Sequence, residues 1–209
     1  MRTQQTITRW LASLGLLLSW PLFVVIAIGV VLDSPGPVFF RQTRLGRGGK
    51  KFEMIKFRKF PVDLNDQGPG VTLRDDPRMT RFGAFLERTK LDEIPQLWNI
   101  LVGEMSFLGP RPESLNYEDL FVGPYLQLLD YRPGIFGPSQ VAYRNESLLY
   151  PEGENPEAFY RANLFPVKAQ IDLDYFSRAT LQGDIYWVVK GVLVSLFGVV
   201  GWREFIGIY

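Results

Sequence analysis

The sequence contains no cysteine and no histidine among its 209 residues. These absences exclude disulfide bonds, thiolate nucleophiles, zinc sites of the usual cysteine and histidine kind, imidazole bases and Ser-His-Asp triads. An excess of charge of one sign is also lacking, because 23 Lys and Arg residues face 22 Asp and Glu residues, so bulk charge does not indicate a nucleic-acid partner. Any catalysis must therefore depend on carboxylates, Lys, Arg, hydroxyl groups or a metal ion held by oxygen ligands.

Apolar residues, in contrast, are plentiful. Hydrophobic residues make up 46% and aromatic residues 14% of the chain, which excludes wholesale disorder and allows a sizeable core. The length fits one domain, or one domain with an appendage.

The first apolar segment lies between Arg9 and Asp33 and contains no charged residue. As a helix, residues 10–32 would measure about 34 Å, which is enough to cross a bilayer. A cleaved signal peptide is the alternative, but the segment is longer than a usual signal core and is followed by Asp-Ser-Pro-Gly rather than by a small-residue cleavage site. Pro21 lies in the middle and predicts a kink, and thus two half-helices.

Basic residues flank this segment on both sides. Cytoplasmic flanks are enriched in Lys and Arg, so both ends are expected on the cytoplasmic face. This favours a re-entrant hairpin over a kinked span, and the rest of the chain is cytoplasmic in either case. The flanking residues are Arg2, Arg9, Arg41, Arg44, Arg47, Lys50 and Lys51.

A second apolar stretch, residues 185–202, contains Lys190 and the aromatic residues Trp187, Phe197 and Trp202. Aromatic side chains of this kind are typical anchors at a membrane interface, which predicts a helix lying on the membrane. A buried core helix is the alternative.

The remaining pattern predicts an α/β chain that is mainly helical. Residues 38–40 and 52–58 are β-rich and flank a glycine turn at 46–49, which indicates a small hairpin. Residues 63–70 are typical of a mobile surface loop. Two further helices are expected at residues 114–129 and 156–178.

Two helices are predicted between the loop and residue 101. Asp76 is expected to cap the first, with Pro77 at its first position and its end near Arg88. Asp92 is expected to cap the second, where the positive end of the helix dipole would keep the carboxylate ionised. Without further context, an Asp-Glu pair at a helix start is a cap far more often than a catalytic pair.

Three stretches carry a resemblance to a known family: DPRMTRFG at 76–83, LDEIPQLWNIL at 91–101 and MSFLGPRP at 105–112. They resemble the bacterial sugar transferases, the monotopic phosphoglycosyl transferases. The similarity continues through Gly36 to Gln42, Ile55 to Arg58, Arg132 to Ile135, Gln140 with Val141, and Asp172 to Tyr175. Larger members carry additional transmembrane helices, so this chain, which starts with the apolar segment, is expected to be the minimal catalytic form.

The resemblance implies transfer of a sugar-1-phosphate from a nucleotide diphosphate sugar, usually a UDP-sugar, to a polyprenyl phosphate such as undecaprenyl phosphate, with release of UMP. It implies Asp92 as the nucleophile that forms a phospho-sugar intermediate, Glu93 as the base or proton manager, and Mg²⁺ near Asp92. A carboxylate that acts as a covalent nucleophile agrees with phosphoryl-transfer chemistry, and so do cations around a diphosphate. The candidate phosphate-binding residues are Lys56, Arg58, Arg111, Arg132 and Arg144.

The resemblance also implies an organisation in three parts at the cytoplasmic face of the bacterial inner membrane. These are a membrane anchor at residues 1–35, a catalytic domain at 36–184 and an interfacial helix at 185–209, with membrane lipids as partners and no nucleic acid. The apolar N-terminal helix could also mediate a homodimer. Lys56 and Arg58 share one face of a strand, so both are expected at the site or both in solvent. Lys168, Asp172 and Tyr175 are expected to brace the fold.

Two features separate the sequence from the usual pattern of the family. Glu104 replaces an Asp, which preserves the charge, whereas Phe136 replaces a Thr and is expected to alter contacts with the substrate or the lipid. Two other functions remain open: a membrane-anchored scaffold without chemistry, and a lipid or sugar phosphate hydrolase.

Overall fold

The structure is a computed structural model, and it describes residues 2–64, 73 and 76–197. The predicted loop at 63–70 lies almost wholly outside the described residues, as do residues 198–202 of the second apolar stretch. The helices are α1 (Arg2–Asp33), α2 (Arg81–Thr89), α3 (Gln96–Val102), α4 (Pro138–Ala142), α5 (Pro156–Phe159), α6 (Phe165–Phe176) and α7 (Leu181–Phe197). The strands are β1 (Phe39–Leu45), β2 (Lys51–Phe57), β3 (Ser106–Leu108) and β4 (Gly134–Phe136). Short 3₁₀ turns cover Arg47–Gly49, Val62–Leu64, Leu91–Glu93, Leu115–Leu120, Gly123–Asp130 and Glu146–Leu148, and a π turn covers Tyr160–Leu164.

The predicted hairpin and the mainly helical character are confirmed. Strands β1 and β2 pair antiparallel, with Phe39 opposite Phe57. The turn between them closes through the N–H of Gly46, which donates to the carbonyl of Lys50 at 2.8 Å. Gly48 has a φ of 67°, a left-handed conformation that favours glycine, which explains the glycines of this turn.

A second, parallel pair joins β3 to β4, with Ser106 opposite Gly134. The sequence did not predict this pair, because three-residue strands carry too little periodicity to be recognised. The chain leaves β3 through Gly109, where an added Cβ atom would lie 2.1 Å from the carbonyl oxygen of Arg132. Only glycine fits so close to the neighbouring backbone, and this contact positions the following turn, which carries Arg111.

Helix α1 continues from Arg2 to Asp33 with Pro21 inside it, so the predicted break into two half-helices is not observed. Proline lacks one N–H group and therefore removes a single backbone hydrogen bond, while the bonds on either side of it can maintain the helix. Among the described residues, the segment Gln5–Asp33 is the one helix long and apolar enough to cross a membrane.

One side of α1 packs on the rest of the protein along most of its length. Near its start, Ala12 is fully buried in a cluster with Ile100 of α3. Near its end, Ile26 joins a buried cluster with Leu86 of α2, and the carboxylate of Asp33 accepts a hydrogen bond of 2.9 Å from the N–H of Phe82. The opposite side exposes large apolar side chains: Trp10, Leu14, Leu17, Leu18, Trp20, Val25, Ile28 and Leu32.

Helix α2 begins at Arg81 rather than after Asp76, so the predicted cap is wrong. The hydroxyl of Thr80 caps the helix by accepting from the N–H of Gly83 at 2.9 Å. The carboxylate of Asp76 instead accepts from the N–H and the guanidinium of Arg78, at 3.0 and 2.9 Å. This local pairing satisfies Asp76 before the helix starts.

The C-terminal end of α1 is fixed by Arg58, which is 2% exposed. Its guanidinium donates to the hydroxyl and carbonyl of Ser34, at 2.8 and 2.5 Å, and to the carbonyls of Pro37 and Phe60. Arg58 therefore joins the end of α1 to the end of β2.

Replacing Arg58 with Met is expected to lower the free energy of unfolding by about 3 kcal/mol or more, because several buried acceptors lose a charged donor at once. Thermal unfolding of the purified protein in detergent measures the effect. Arg41→Met is the matched control, since Arg41 lies on the hairpin and its ion pair with Glu53 is exposed to solvent. Equal destabilisation by the two variants would contradict this role of Arg58.

Helix α7 is packed on one side and exposed on the other. Val194 is buried, and Gly191 lies against the ring of Phe136, where an added Cβ atom would come within 2.4 Å of the ring. The other side exposes Leu181, Ile185, Tyr186, Val189, Val192 and Leu193. The described part of this helix is therefore not a fully buried core helix.

Candidate active site

A polar cleft of about 320 Å³ lies between β2, the turn at Leu91–Glu93, the turn after β3, and helices α4 and α7. Eight cationic side chains and four carboxylates line it, an excess of positive charge that fits a diphosphate. The cations are Arg44, Lys56, Lys59, Arg78, Lys90, Arg111, Arg144 and Lys168, and the carboxylates are Glu87, Glu93, Glu113 and Glu146.

Asp92 lies directly behind the wall of this cleft, on the 3₁₀ turn between α2 and α3. Its side chain is 1% exposed, and neither carboxylate oxygen accepts a hydrogen bond from a described residue. Its nearest charged neighbour is the ammonium of Lys59, at 3.5 Å. Buried carboxylates are normally hydrogen-bonded, so an unsatisfied one in this position indicates a functional group.

The prediction that Asp92 caps a helix is wrong. Lys90, in the left-handed conformation with a φ of 57°, precedes the turn, and no side chain caps it. Burial raises the pKa of Asp92, and the charges of Lys59 and Lys56 offset only part of this effect. The low pKa expected from the helix dipole is therefore not found.

Lys59 and Glu87 form the surroundings of Asp92, and neither was predicted from the sequence. Lys59 forms an ion pair with Glu87 of α2, and Glu87 also accepts from Lys90 at 2.9 Å. Burial would lower the pKa of Lys59, but the charges of Asp92 and Glu87 raise it well above its usual value. Glu87 lies on the predicted helix and Lys90 just beyond its end, and this three-residue spacing was the one available signal for part of this cluster.

Glu93 faces the cleft and pairs with Lys56 at 2.7 Å. Burial alone would raise the pKa of Glu93, but Lys56, Lys90 and Arg111 lower it to about 2. A carboxylate with so low a pKa is a weak proton acceptor at neutral pH. Glu93 is therefore better suited to positioning Lys56 than to acting as a base.

Arg111 lines the cleft beside three carboxylates. Burial lowers its pKa, but Glu93, Glu113 and Glu146 raise it above its usual value, so the guanidinium stays charged. Within the part of the chain that the structure describes, this guanidinium donates no hydrogen bond, while Glu113 accepts from Tyr160 and Glu146 from Lys168. Its donors are available for a phosphate group in the cleft.

The structure brings Lys56, Arg111 and Arg144 to the cleft. Arg144 also donates to the carbonyl of Arg88 at 2.8 Å. Arg58 lies at the end of α1, so Lys56 and Arg58 do not share an environment, contrary to expectation. Arg132 lies in a separate depression next to the start of α1.

The cleft also has apolar lining residues. Phe40, Phe57, Ile135, Phe136, Val141 and Val194 line it. Phe136 packs against Gly191 of α7, whose opposite side exposes apolar residues. A cleft lined by both charged and apolar side chains suits a ligand with a phosphate head and a hydrocarbon tail.

The three residues expected to brace the fold are all paired. Lys168 donates to Glu146 at 2.5 Å, Tyr175 donates to Asp184 at 2.7 Å, and Asp172 accepts from the N–H and hydroxyl of Ser139 at 2.9 and 2.7 Å. Burial raises the pKa of Asp172 to about 7 despite these bonds.

This raised pKa predicts a pH-dependent stability. Between about pH 4 and pH 7 the folded protein holds a proton on Asp172 that the unfolded chain releases. The contribution of Asp172 to the free energy of unfolding is therefore fully present at low pH and is lost as the pH rises through this range. Asp172→Asn resembles the protonated form and cannot titrate. The unfolding temperature of the variant minus that of the wild type should therefore increase from about pH 5 to pH 8. A constant difference would contradict the assignment.

The chain matches the bacterial sugar transferase family over residues 2–198. It is 43% identical over 186 residues to a UDP-glucose:undecaprenyl-phosphate glucose-1-phosphate transferase of Xanthomonas campestris pv. campestris, covering 86% of this chain and 36% of the relative. It is 45% identical over 192 residues to an Escherichia coli (strain K12) protein of the same name, covering 90% and 38%. It is 43% identical over 112 residues to a putative undecaprenyl-phosphate N-acetylgalactosaminyl 1-phosphate transferase of Bacillus subtilis (strain 168), covering 54% and 63%. The chain thus matches 36% to 63% of the length of these relatives.

Proposed function

Because the chain belongs to the bacterial sugar transferase family, we propose that it transfers a sugar-1-phosphate from a UDP-sugar to undecaprenyl phosphate and releases UMP. The names of its relatives support this donor and this acceptor. The observation that carries the proposal is the buried carboxylate of Asp92, which accepts no hydrogen bond from a described residue and lies beside Lys59 in a cleft wall that carries eight cations.

The proposed reaction has two displacement steps at one phosphorus atom. An oxygen of Asp92 attacks the β-phosphorus of the UDP-sugar, the bond from that phosphorus to the bridging oxygen breaks, and UMP leaves with the electron pair. A phosphate oxygen of undecaprenyl phosphate then attacks the same phosphorus and releases Asp92 as a carboxylate. An acyl phosphate is a good phosphoryl donor, so a carboxylate suits both steps.

The charged neighbours have separate roles in this proposal. Arg111 and Lys56 neutralise the charge of the diphosphate as the bridging bond breaks, which is the main requirement of phosphoryl transfer. Lys59 stabilises the ionised form of Asp92 between turnovers. Attack requires a carboxylate oxygen to reach the phosphorus at about 3 Å, so we propose that the turn at Leu91–Glu93 shifts toward the cleft when the donor binds.

A magnesium ion fits this site only with help from the substrate. The unsatisfied oxygens of Asp92 suit Mg²⁺, but the described residues contain no group of three or more carboxylates that could hold the ion. Magnesium commonly binds one or two carboxylates together with substrate phosphates and water. Asp92, with the diphosphate, would hold it, and the ion would supply additional neutralisation of the phosphate charge.

We propose that α1 inserts from the cytoplasmic face without crossing the bilayer, so that both of its ends lie at that face. The rest of the chain contacts α1 near both ends, at Ala12 and at Asp33, and these contacts do not fit a domain confined to one side of a spanning helix. This arrangement keeps the cleft at the depth of the lipid phosphate, where a soluble UDP-sugar can meet a lipid acceptor.

The absence of cysteine makes this arrangement directly testable. Single Thr6→Cys and Lys50→Cys variants are expected to react with a membrane-impermeant maleimide in inverted membrane vesicles and to remain unlabelled in intact spheroplasts. Lys50 is the control for the cytoplasmic face, because it lies on the hairpin turn. Labelling of the Thr6→Cys variant in intact spheroplasts would show that α1 spans the bilayer.

The test of the function itself is acceptor-dependent release of UMP. Purified protein in detergent with Mg²⁺ is incubated with UDP-glucose, UDP-N-acetylgalactosamine or other UDP-sugars, with and without undecaprenyl phosphate. One donor is expected to give UMP and a lipid-linked sugar only when the acceptor is present. Multiple turnovers of free sugar-1-phosphate without acceptor would instead support a hydrolase, and no product from any UDP-sugar would contradict the proposal.

A further inference from the structure

A second depression, of about 260 Å³, lies beside the start of α1 and shares no lining residue with the cleft. Helix α1 contributes Gln5, Thr8 and Arg9 to its lining. The hairpin turn contributes Arg47, and the segment before β4 contributes Arg132. Three guanidinium groups from distant parts of the sequence therefore meet in one concave surface.

No described carboxylate forms an ion pair with any of these three guanidinium groups. Among the described residues, the one side-chain hydrogen bond of Arg9, Arg47 and Arg132 runs from Arg9 to the carbonyl of Val102 at 3.3 Å. Asp184 is the carboxylate in the lining, and it accepts from the hydroxyl of Tyr175. Burial and the charges of Arg47 and Arg9 lower the pKa of Arg132, which is the sign of mutual repulsion between the cations.

An arrangement of repelling cations is stabilised by an anion that binds between them. Arginine forms paired hydrogen bonds with phosphate oxygens, and three arginines exceed what a single carboxylate would require. The depression is large enough for a phosphate group with its immediate substituents, so the structure points to a phosphate ester as the ligand class.

The position of the depression identifies the source of the phosphate. Arg9 is the last charged residue before the apolar part of α1, and Trp10, Leu11 and Leu14 immediately after it are exposed. A phosphate held here would therefore lie next to the surface that α1 presents to acyl chains. Basic residues at the boundary of a membrane segment attract anionic lipids.

We propose that Arg9, Arg47 and Arg132 form a binding site for the headgroup phosphate of an anionic membrane phospholipid, separate from the cleft that contains Lys56 and Arg111. The site anchors the hairpin turn and the segment before β4 to the membrane surface at the start of α1. In this proposal Arg132 binds a lipid headgroup phosphate, whereas the sequence predicts that it binds the phosphate of the substrate.

The test compares lipids by thermal unfolding of the full chain in detergent. Phosphatidylglycerol is expected to raise the unfolding temperature of the wild type more than the same amount of phosphatidylcholine, because a ligand that binds only the folded state stabilises it. The double variant Arg47→Gln, Arg132→Gln is expected to lose most of this difference. Arg9 stays in place, since its bond to Val102 contributes to the fold.

The matched control is the double variant Arg41→Gln, Lys50→Gln, which removes the same charge from exposed positions on the hairpin and should keep the full difference. If the test variant does not fold, Arg47→Gln alone replaces it, because Arg47 is exposed on the turn. An undiminished phosphatidylglycerol effect in the test variant overturns the proposal.

Two further arms distinguish other sources of phosphate. Inorganic phosphate that stabilises the wild type as much as phosphatidylglycerol does would identify a site for a soluble anion. A higher KM for undecaprenyl phosphate in the test variant, measured in phosphatidylcholine alone, would assign the depression to the acceptor. Either result overturns the proposal, and the unfolding measurement is independent of whether the proposed transferase reaction is correct.

Discussion

Asp92→Asn is expected to abolish acceptor-dependent UMP release, with a fall in kcat of at least about a thousandfold. The amide has nearly the same shape as the carboxylate but cannot form the acyl phosphate of the proposed reaction. The measurement is UMP release with the best UDP-sugar, with and without undecaprenyl phosphate, for wild type and variant protein.

A labelling experiment separates loss of the nucleophile from loss of donor binding. The wild type, incubated without acceptor and with a donor labelled in the β-phosphate, is expected to retain label covalently, and Asp92→Asn is not. Asp119→Asn is the control, because Asp119 is an exposed carboxylate paired with Arg161. Unchanged activity in Asp92→Asn would exclude Asp92 as the nucleophile.

Arg111→Gln is expected to lower kcat/KM for the UDP-sugar by about 10²- to 10³-fold, the range found when one preorganised donor to a developing charge is removed. The reason is that the guanidinium is charged, lies in the cleft and has no hydrogen bond to a described residue. Initial rates over a range of UDP-sugar concentrations measure the effect.

Arg111→Lys preserves the charge but loses the paired donors, so it should fall between the wild type and Arg111→Gln. Arg178→Gln serves as the control, since Arg178 is exposed and bonded to the carbonyl of Asp174 on α6. A loss smaller than about tenfold in Arg111→Gln would contradict direct contact with the transferred phosphate.

Local features of the fold could be predicted from the sequence, and tertiary ones could not. The hairpin follows from alternating residues around glycines, and α1 follows from a long run without charge. The parallel pair β3–β4 has three residues in each strand, and its close approach at Gly109 and Gly134 becomes visible only once the two segments meet.

The same division applies to the site. Asp92, Glu93 and Arg111 were selected through the resemblance, because local rules favour a helix cap for the first. Lys59 and Glu87 were missed, since a charge becomes a counterion only when folding places it next to its partner. Charge and the family pattern together predict phosphate contacts for Arg58 and Arg132, whereas burial against Ser34 and proximity to Arg9 give them other surroundings.

Helix α2 has a further consequence for how such a protein must be handled. At its start, Phe82 lies against α1, both at Gly29 and through the carboxylate of Asp33. At its other end, Glu87 holds Lys59, the counterion of Asp92. With α1 in the membrane and Asp92 as the nucleophile, as proposed, a shift of α1 would displace α2, whose far end holds the counterion of Asp92. Detergents that leave the protein folded should then still differ in the turnover they allow.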